Sequence, residues 1–205
     1  MDRNQIQDLL YQALETELGG VQVYQAALRS AVNEDLREEW SEYLEQTRNH
    51  VEVLLNVFQQ LGLDPRQDSA GRQVVRHVGQ SLVNTIEMAQ SHGRPEAAQV
   101  VAAECVVHAE TKDHANWELI GLLSNNWSGP ESQVLKEAYD RVEDEEDEHL
   151  YHTKGWVREL SIQALGLDAV LPPPEEKKDV KSATEAAEVK KERKRSMNRS
   201  KKKAG

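Results

Sequence analysis

The 205 residues are 38% hydrophobic and 30% charged with a formal net charge of −11, enough apolar material for one ordinary domain but not comfortably for two. No apolar run approaches the ~20 residues that cross a bilayer, and one cysteine cannot make an internal disulfide. The N-terminus lacks the basic and apolar regions of a leader, so the chain reads as cytoplasmic and not as a membrane protein.

Glycine (11) and proline (6) are scarce beside Glu, Gln, Ala, Leu and Val, which predicts an all-α fold. Residues facing a helical core recur at alternating steps of three and four. On the first helix that stripe is Leu10, Leu14, Glu17, Val21, Tyr24 and Leu28, with a carboxylate among apolar residues; Gly19 and Gly20 beside it read as a close helix approach. Ser30 to Asn33 ends this helix, and Asn33 is the expected N-cap of the next. The second stripe is Leu36, Trp40, Tyr43, Thr47, His50, Leu54, Val57 and Leu61, with one histidine at its middle.

The stretch LGLDPRQDSAG ends the second helix, and a shorter crossover helix runs from there to SHGRP. The third long helix carries Val100, Ala103, Val107, Glu110, His114, Trp117 and Gly121 inward. NNWSGPE precedes the fourth, where Ser128 and Glu131 have capping-box spacing, and Gly166 closes it. Its stripe is Leu135, Tyr139, Val142, Glu146, His149, Thr153, Trp156 and Leu160, so Glu146 and His149 form an inward E-x-x-H while Glu143, Asp144, Glu145 and Asp147 mostly face solvent. Tyr24, Tyr43 and Tyr139 read as core tyrosines, Cys105 as a small buried hydrophobe, and His77, His92, His108 and His152 as peripheral.

Helices of ~30 residues are ~45 Å long and bury their stripes best side by side, which predicts a four-helix bundle over residues 1–168 with the crossover helix between the second and third long helices. Residues 169–205 carry three prolines at 172–174 and hold few large apolar residues, and are expected to be a disordered Lys/Arg-rich tail. Residues 172–205 carry 12 Lys/Arg against 6 Asp/Glu, a net +6 that leaves −17 on residues 1–171.

Each long helix thus turns at least one Glu or His inward near its middle, and the stripes hold no Lys or Arg. Burying several carboxylates together costs several kcal/mol per ion unless something positive neutralises them. A pair of divalent metals bridged by carboxylates would supply the charge; protonated carboxyls or trapped water are the alternative.

One Glu in ETELGGVQVYQAAL, a His in EQTRNHVEVLLNVFQQLG, one Glu in VVHAETKDH and E-x-x-H in EDEEDEHLYH, in that order, resemble the ferritin-like superfamily over residues 3–165, most of all its YciF-like and rubrerythrin-like branches. ETELGGVQVY is similar to the first-helix segment of bacterioferritins. The resemblance implies metal ligation by Glu17, His50, Glu110, Glu146 and His149, two irons per chain or manganese in their place, and redox chemistry with oxygen or peroxide in a stress response. Where such proteins usually have a second E-x-x-H, this chain has Thr47 three residues before His50, as YciF-like sequences do; His114, one turn beyond Glu110, is the expected compensating ligand. A homodimer is the expected assembly. Two other functions stay open at this point: a scaffold bundle without chemistry, and a nucleic-acid partner neutralised by the basic tail.

Overall fold

The computed structural model describes the backbone of residues 2–203 and the side chains of residues 2–196. These form α1 (Arg3–Leu28), α2 (Glu34–Leu61), α3 (Ala70–His92), α4 (Pro95–Asn126), α5 (Pro130–Ala164), α6 (Pro174–Lys177) and α7 (Ala183–Lys203), with no strand among the described residues. Among the described residues no helix is long and apolar enough to cross a membrane.

Local signals account for most of the helix ends. Asn33 caps α2 by accepting from the Leu36 amide at 3.0 Å. Gly62 (φ 67°) and Gly166 (φ 72°) end α2 and α5 in the left-handed conformation that costs a side-chain-bearing residue most. The expected Ser128–Glu131 capping box does not form. Gly129 (φ 112°) is the N-cap of α5 and Pro130 takes the first helical position, where its fixed φ fits and its missing N–H costs nothing.

The long helices bury their stripes in two apolar clusters. One holds Leu10, Leu14, Leu54, Phe58, Trp117, Ile120, Leu135 and Val142; the other holds Tyr24, Leu36, Trp40, Ile86, Val106, Trp156 and Leu160. Because the start of α1 and of α5 meets the end of α2 and of α4 in the first cluster, α1 and α5 run one way and α2 and α4 the other. Two parallel neighbours in the chain need a long connection, which α3 provides by packing along α1 and α4. Gly19 and Gly79 let α1 and α3 approach: a Cβ on Gly19 would stand 3.8 Å from the Gly79 Cα.

At its start α3 is tied to α1 by charge. Buried Arg72 donates Nε to Glu15 Oε2 at 2.7 Å, and Arg76 donates Nε to Glu15 Oε1 at 2.8 Å. Both guanidinium groups hold the Glu15 carboxyl below its usual range against the opposing effect of burial, which is the largest single contribution. Removing one partner of a buried pair strands the other, so Arg72→Leu should cost about 3 kcal/mol in urea unfolding, Arg76 limiting the loss.

Over the expected tail the structure differs. Residues 174–177 and 183–203 are helical. The stretch from Ala183 is rich in Ala, Glu and Lys, which are good helix formers, and Ser182 Oγ accepts from the Glu185 amide at 3.3 Å. Buried ion pairs with α5 supply the anchor: Arg158 of α5 pairs with Glu159 and with Glu175 of α6, and Arg193 of α7 pairs with Glu159. The nucleic-acid expectation rests on the basic residues from Lys190 onward, of which the side chains of Arg199, Lys201, Lys202 and Lys203 lie outside the described residues.

Candidate metal centre

Between the two apolar clusters lies one polar layer, at mid-height of each long helix. Glu17 of α1, His50 of α2, Glu110 of α4, and Glu146 and His149 of α5 meet there, each no more than 3% exposed. Two groups of three place a ligand atom from each member within 4.8 Å of one another: Glu17, His50 and Glu146; and Glu110, Glu146 and His149. Glu146 belongs to both. His50 Nδ1 is 3.1 Å from Glu146 Oε1 and 3.6 Å from Glu17 Oε1, while His149 Nδ1 is 3.5 Å from Glu110 Oε2 and 3.6 Å from Glu146 Oε1.

Partners outside the layer orient its members. Trp117 donates Nε1 to Glu17 Oε1 at 2.7 Å, leaving Oε2 unpartnered. His50 Nε2 meets Glu145 Oε2 at 2.7 Å, and His149 Nε2 meets Gln46 Oε1 at 2.7 Å. Each ring therefore donates from Nε2 to an outer acceptor and turns Nδ1 toward the carboxylates, the way metal-bound imidazoles are held by a second partner. Glu17 Oε2, Glu110 Oε2, Glu146 Oε2, His50 Nδ1 and His149 Nδ1 are buried without a hydrogen-bond partner among the described residues. Five orphaned ligand-type atoms in one layer are costly for a folded protein unless something else satisfies them.

The electrostatics carry the same strain. Burial, then repulsion from Glu17 and Glu110, outweighs attraction by His50 and pushes the Glu146 carboxyl up to about 7. Burial opposes charge on the two imidazoles, but Glu17, Glu145 and Glu146 around His50 and Glu110 and Glu146 around His149 raise both above the usual histidine range. Among the described residues the three carboxylates have no Lys or Arg ion-pair partner.

His114 is not brought into this layer. Its Nε2 pairs with Asp147 Oδ1 at 2.7 Å and its Nδ1 lies 3.9 Å from Glu118 Oε2, on the solvent side. The preceding residue, Asp113, is the one turned inward: it is 4% exposed and leaves Oδ1 unpartnered, though it belongs to neither three-residue group. Burial, then Glu17, Glu146 and Glu110, pushes its carboxyl well above the usual range. From Glu110 the inward path can step three then four, through Asp113 to Trp117, or four then three, through His114; the burial pattern takes the first. Thr47 spends its hydroxyl on the Tyr43 carbonyl at 2.7 Å and presents its methyl to α1, where a Cβ on Gly20 would stand 3.3 Å from it.

Three aromatic rings surround the layer: Tyr24 and Tyr43 pack against His149 at centroid distances of 6.2 and 4.1 Å, and Trp117 against His50 at 6.3 Å. A cavity of about 130 Å³ lined by His114, Trp117, Tyr139, Glu143 and Asp147 reaches Glu146 from outside. Gln46 and Glu145 were passed over as outward residues; only their pairing with inward histidines across the helix interface gives them a role. Replacing either, by Gln46→Leu or Glu145→Gln, should weaken metal affinity about 10–100-fold without changing stoichiometry, as read by competition with a metal indicator.

Comparison with known protein families, curated proteins and solved structures finds no match for this chain. What stands on geometry is an all-helical protein whose buried Glu/His clusters could hold metal.

Proposed function

We propose that the chain is a ferritin-like four-helix bundle that holds two iron or manganese ions through Glu17, His50, Glu110, Glu146 and His149 and turns over oxygen or peroxide. The observation that carries this reading is the sharing of Glu146 between two three-residue groups, each completed by one imidazole and one further carboxylate. Opposed α1/α5 and α2/α4 with a helical crossover support the bundle, since that connection joins parallel neighbours in ferritin-like folds. Carboxylate-rich sites with one imidazole per ion suit iron or manganese better than soft-ligand metals.

Bound there, an iron or manganese pair supplies one-electron chemistry toward oxygen or peroxide. The chain does the rest. Trp117 holds Glu17 so that Oε2 points inward, and Glu145 and Gln46 fix both imidazoles with Nδ1 inward. The two apolar clusters keep bulk water from the layer above and below. Burial and the neighbouring carboxylates hold the Asp113 carboxyl well above its usual range beside the centre, and His50 would give up its Nδ1 proton on holding a metal. The cavity at Glu146 admits small solutes.

Ferrous iron mixed with the protein in air, or with peroxide in its absence, should oxidise faster than in buffer, followed by ferric absorbance. Glu110→Gln should remove the acceleration. Equal rates with wild type, Glu110→Gln and buffer would contradict the redox reading while leaving metal binding to be measured separately.

A further inference from the structure

A second set of acids lies outside the central layer, in a cavity of about 330 Å³ between α2, α5 and α6 lined by Glu39, Glu42, Tyr43, Glu148, His152 and Glu176 among others. No basic residue lines it; from the rim, Lys181 Nζ neutralises Glu148 at 2.7 Å. His152 is 5% exposed, and its Nε2 has no partner among the described residues. Glu39 Oε1 and Glu176 Oε2 are likewise buried and unpartnered. Trp156 holds the other oxygen of Glu39 from behind. His152 Nδ1 and Tyr43 Oη are 2.9 Å apart, and with Nδ1 donating to the hydroxyl, Nε2 offers its lone pair to the cavity.

We infer that this cavity binds a hydrated divalent cation between Glu39 of α2 and Glu176 of α6, with His152 Nε2 as a third donor. The lining is acidic apart from Tyr43 and His152, and a carboxylate–imidazole set suits a first-row divalent ion such as Mn²⁺ better than a hard ion bound by oxygen alone. Among the described residues, three ligand atoms come within 4.8 Å of one another only in the central layer, so water completes the shell here and the ion is held more weakly.

The C-terminal segment is part of this site. Arg158 Nη2 donates to Glu175 Oε2 at 2.7 Å, fixing α6 against α5 and presenting the next residue, Glu176, to the cavity. Gly155 gives α6 its room: a Cβ there would stand 2.8 Å from Glu175 Oε2 and 3.0 Å from Pro173 Cβ.

The test is Mn²⁺ titration of the full chain, read from the electron paramagnetic resonance signal of free Mn²⁺. It is run on wild type and on a Glu110→Gln, Glu146→Gln background that breaks both central three-residue groups. That background should still bind one weak equivalent, and adding Glu39→Gln with Glu176→Gln should weaken it at least about tenfold. Gly155→Ala, which changes no donor but displaces α6, should weaken it likewise, with circular dichroism confirming that both variants fold. In the wild-type background Glu39→Gln with Glu176→Gln should leave tight central binding untouched, so this site and the central one fail independently. Absence of a weak equivalent in the Glu110→Gln, Glu146→Gln background would overturn the inference. So would unchanged affinity after Glu39→Gln with Glu176→Gln, or after Gly155→Ala.

Discussion

Glu146→Leu should abolish metal binding at both central positions, lowering affinity by at least about 100-fold, whereas Glu17→Ala or Glu110→Ala should impair mainly one. The asymmetry follows from geometry, because Glu146 alone is common to the two three-residue groups. The same substitution should stabilise the metal-free protein. A carboxyl displaced from 4.5 to about 7 by burial and by its acidic neighbours resists ionisation, a difference on the order of 3 kcal/mol. His50 keeps Glu17 and Glu145 as partners once Glu146 is gone, so no new buried charge is stranded. Replacing the carboxyl with an apolar side chain should therefore raise the metal-free stability near pH 8 by about 1–2 kcal/mol. Calorimetry of metal binding together with urea unfolding in chelator reads both effects. A variant that binds two ions normally, or that unfolds well before wild type in chelator, contradicts the shared-ligand geometry.

Metal should stabilise the wild-type protein more at about pH 8 than at about pH 5.5. The folded-state pKa of Glu146 lies above its ordinary value, so its contribution to stability is fully present below 4.5 and is lost as pH rises toward about 7. His50 and His149 are also raised, and their contribution, complete below 6.5, is lost as pH rises through their folded values. At low pH, then, protons already satisfy the layer, and metal must displace them from Glu146 and from both Nδ1 atoms. At about pH 8 Glu146 has lost its proton, so metal meets one competing proton fewer and neutralises a carboxylate that burial disfavours. An ion at one hundred times its dissociation constant adds about 2.7 kcal/mol, or about 5–10 °C in Tm for a chain of this size. Glu145, held below the usual range by His50, works in the opposite sense and contributes to loss of stability in acid. Melting curves with and without Mn²⁺ at the two pH values test this; a metal shift that is equal at both, or absent, contradicts it.

The inward phase of the metal layer was legible because a helix against a core repeats its buried positions at three and four, and Glu17, His50, Glu110, Glu146 and His149 fall in that phase beside large apolar neighbours. The same rule placed His114 inward and passed over Asp113, since both steps are allowed and only the packing of α4 against α1 and α5 chooses between them. Ser128 carried a cap signal that Pro130 overrode by starting the helix one residue later than a Ser128 cap requires. Gln46, Glu145 and Glu176 were out of reach for another reason: each acts across an interface, on His149, on His50 and at the α2/α5 cavity. Nothing along their own helices marks them. The helices after residue 173 were missed because composition reports how little a segment can bury alone, while Glu175 of α6 and Arg193 of α7 are secured by Arg158 and Glu159 of α5.

Metal content per chain tests the central claim most directly. Protein loaded anaerobically with ferrous iron or manganese, then desalted to strip weakly held ions, should retain two equivalents, with X-ray absorption reporting about one imidazole nitrogen per metal among oxygen ligands. Retention of none or one, or of two equivalents unchanged in a Glu17→Ala, Glu110→Ala variant, would contradict a dinuclear centre built from these side chains.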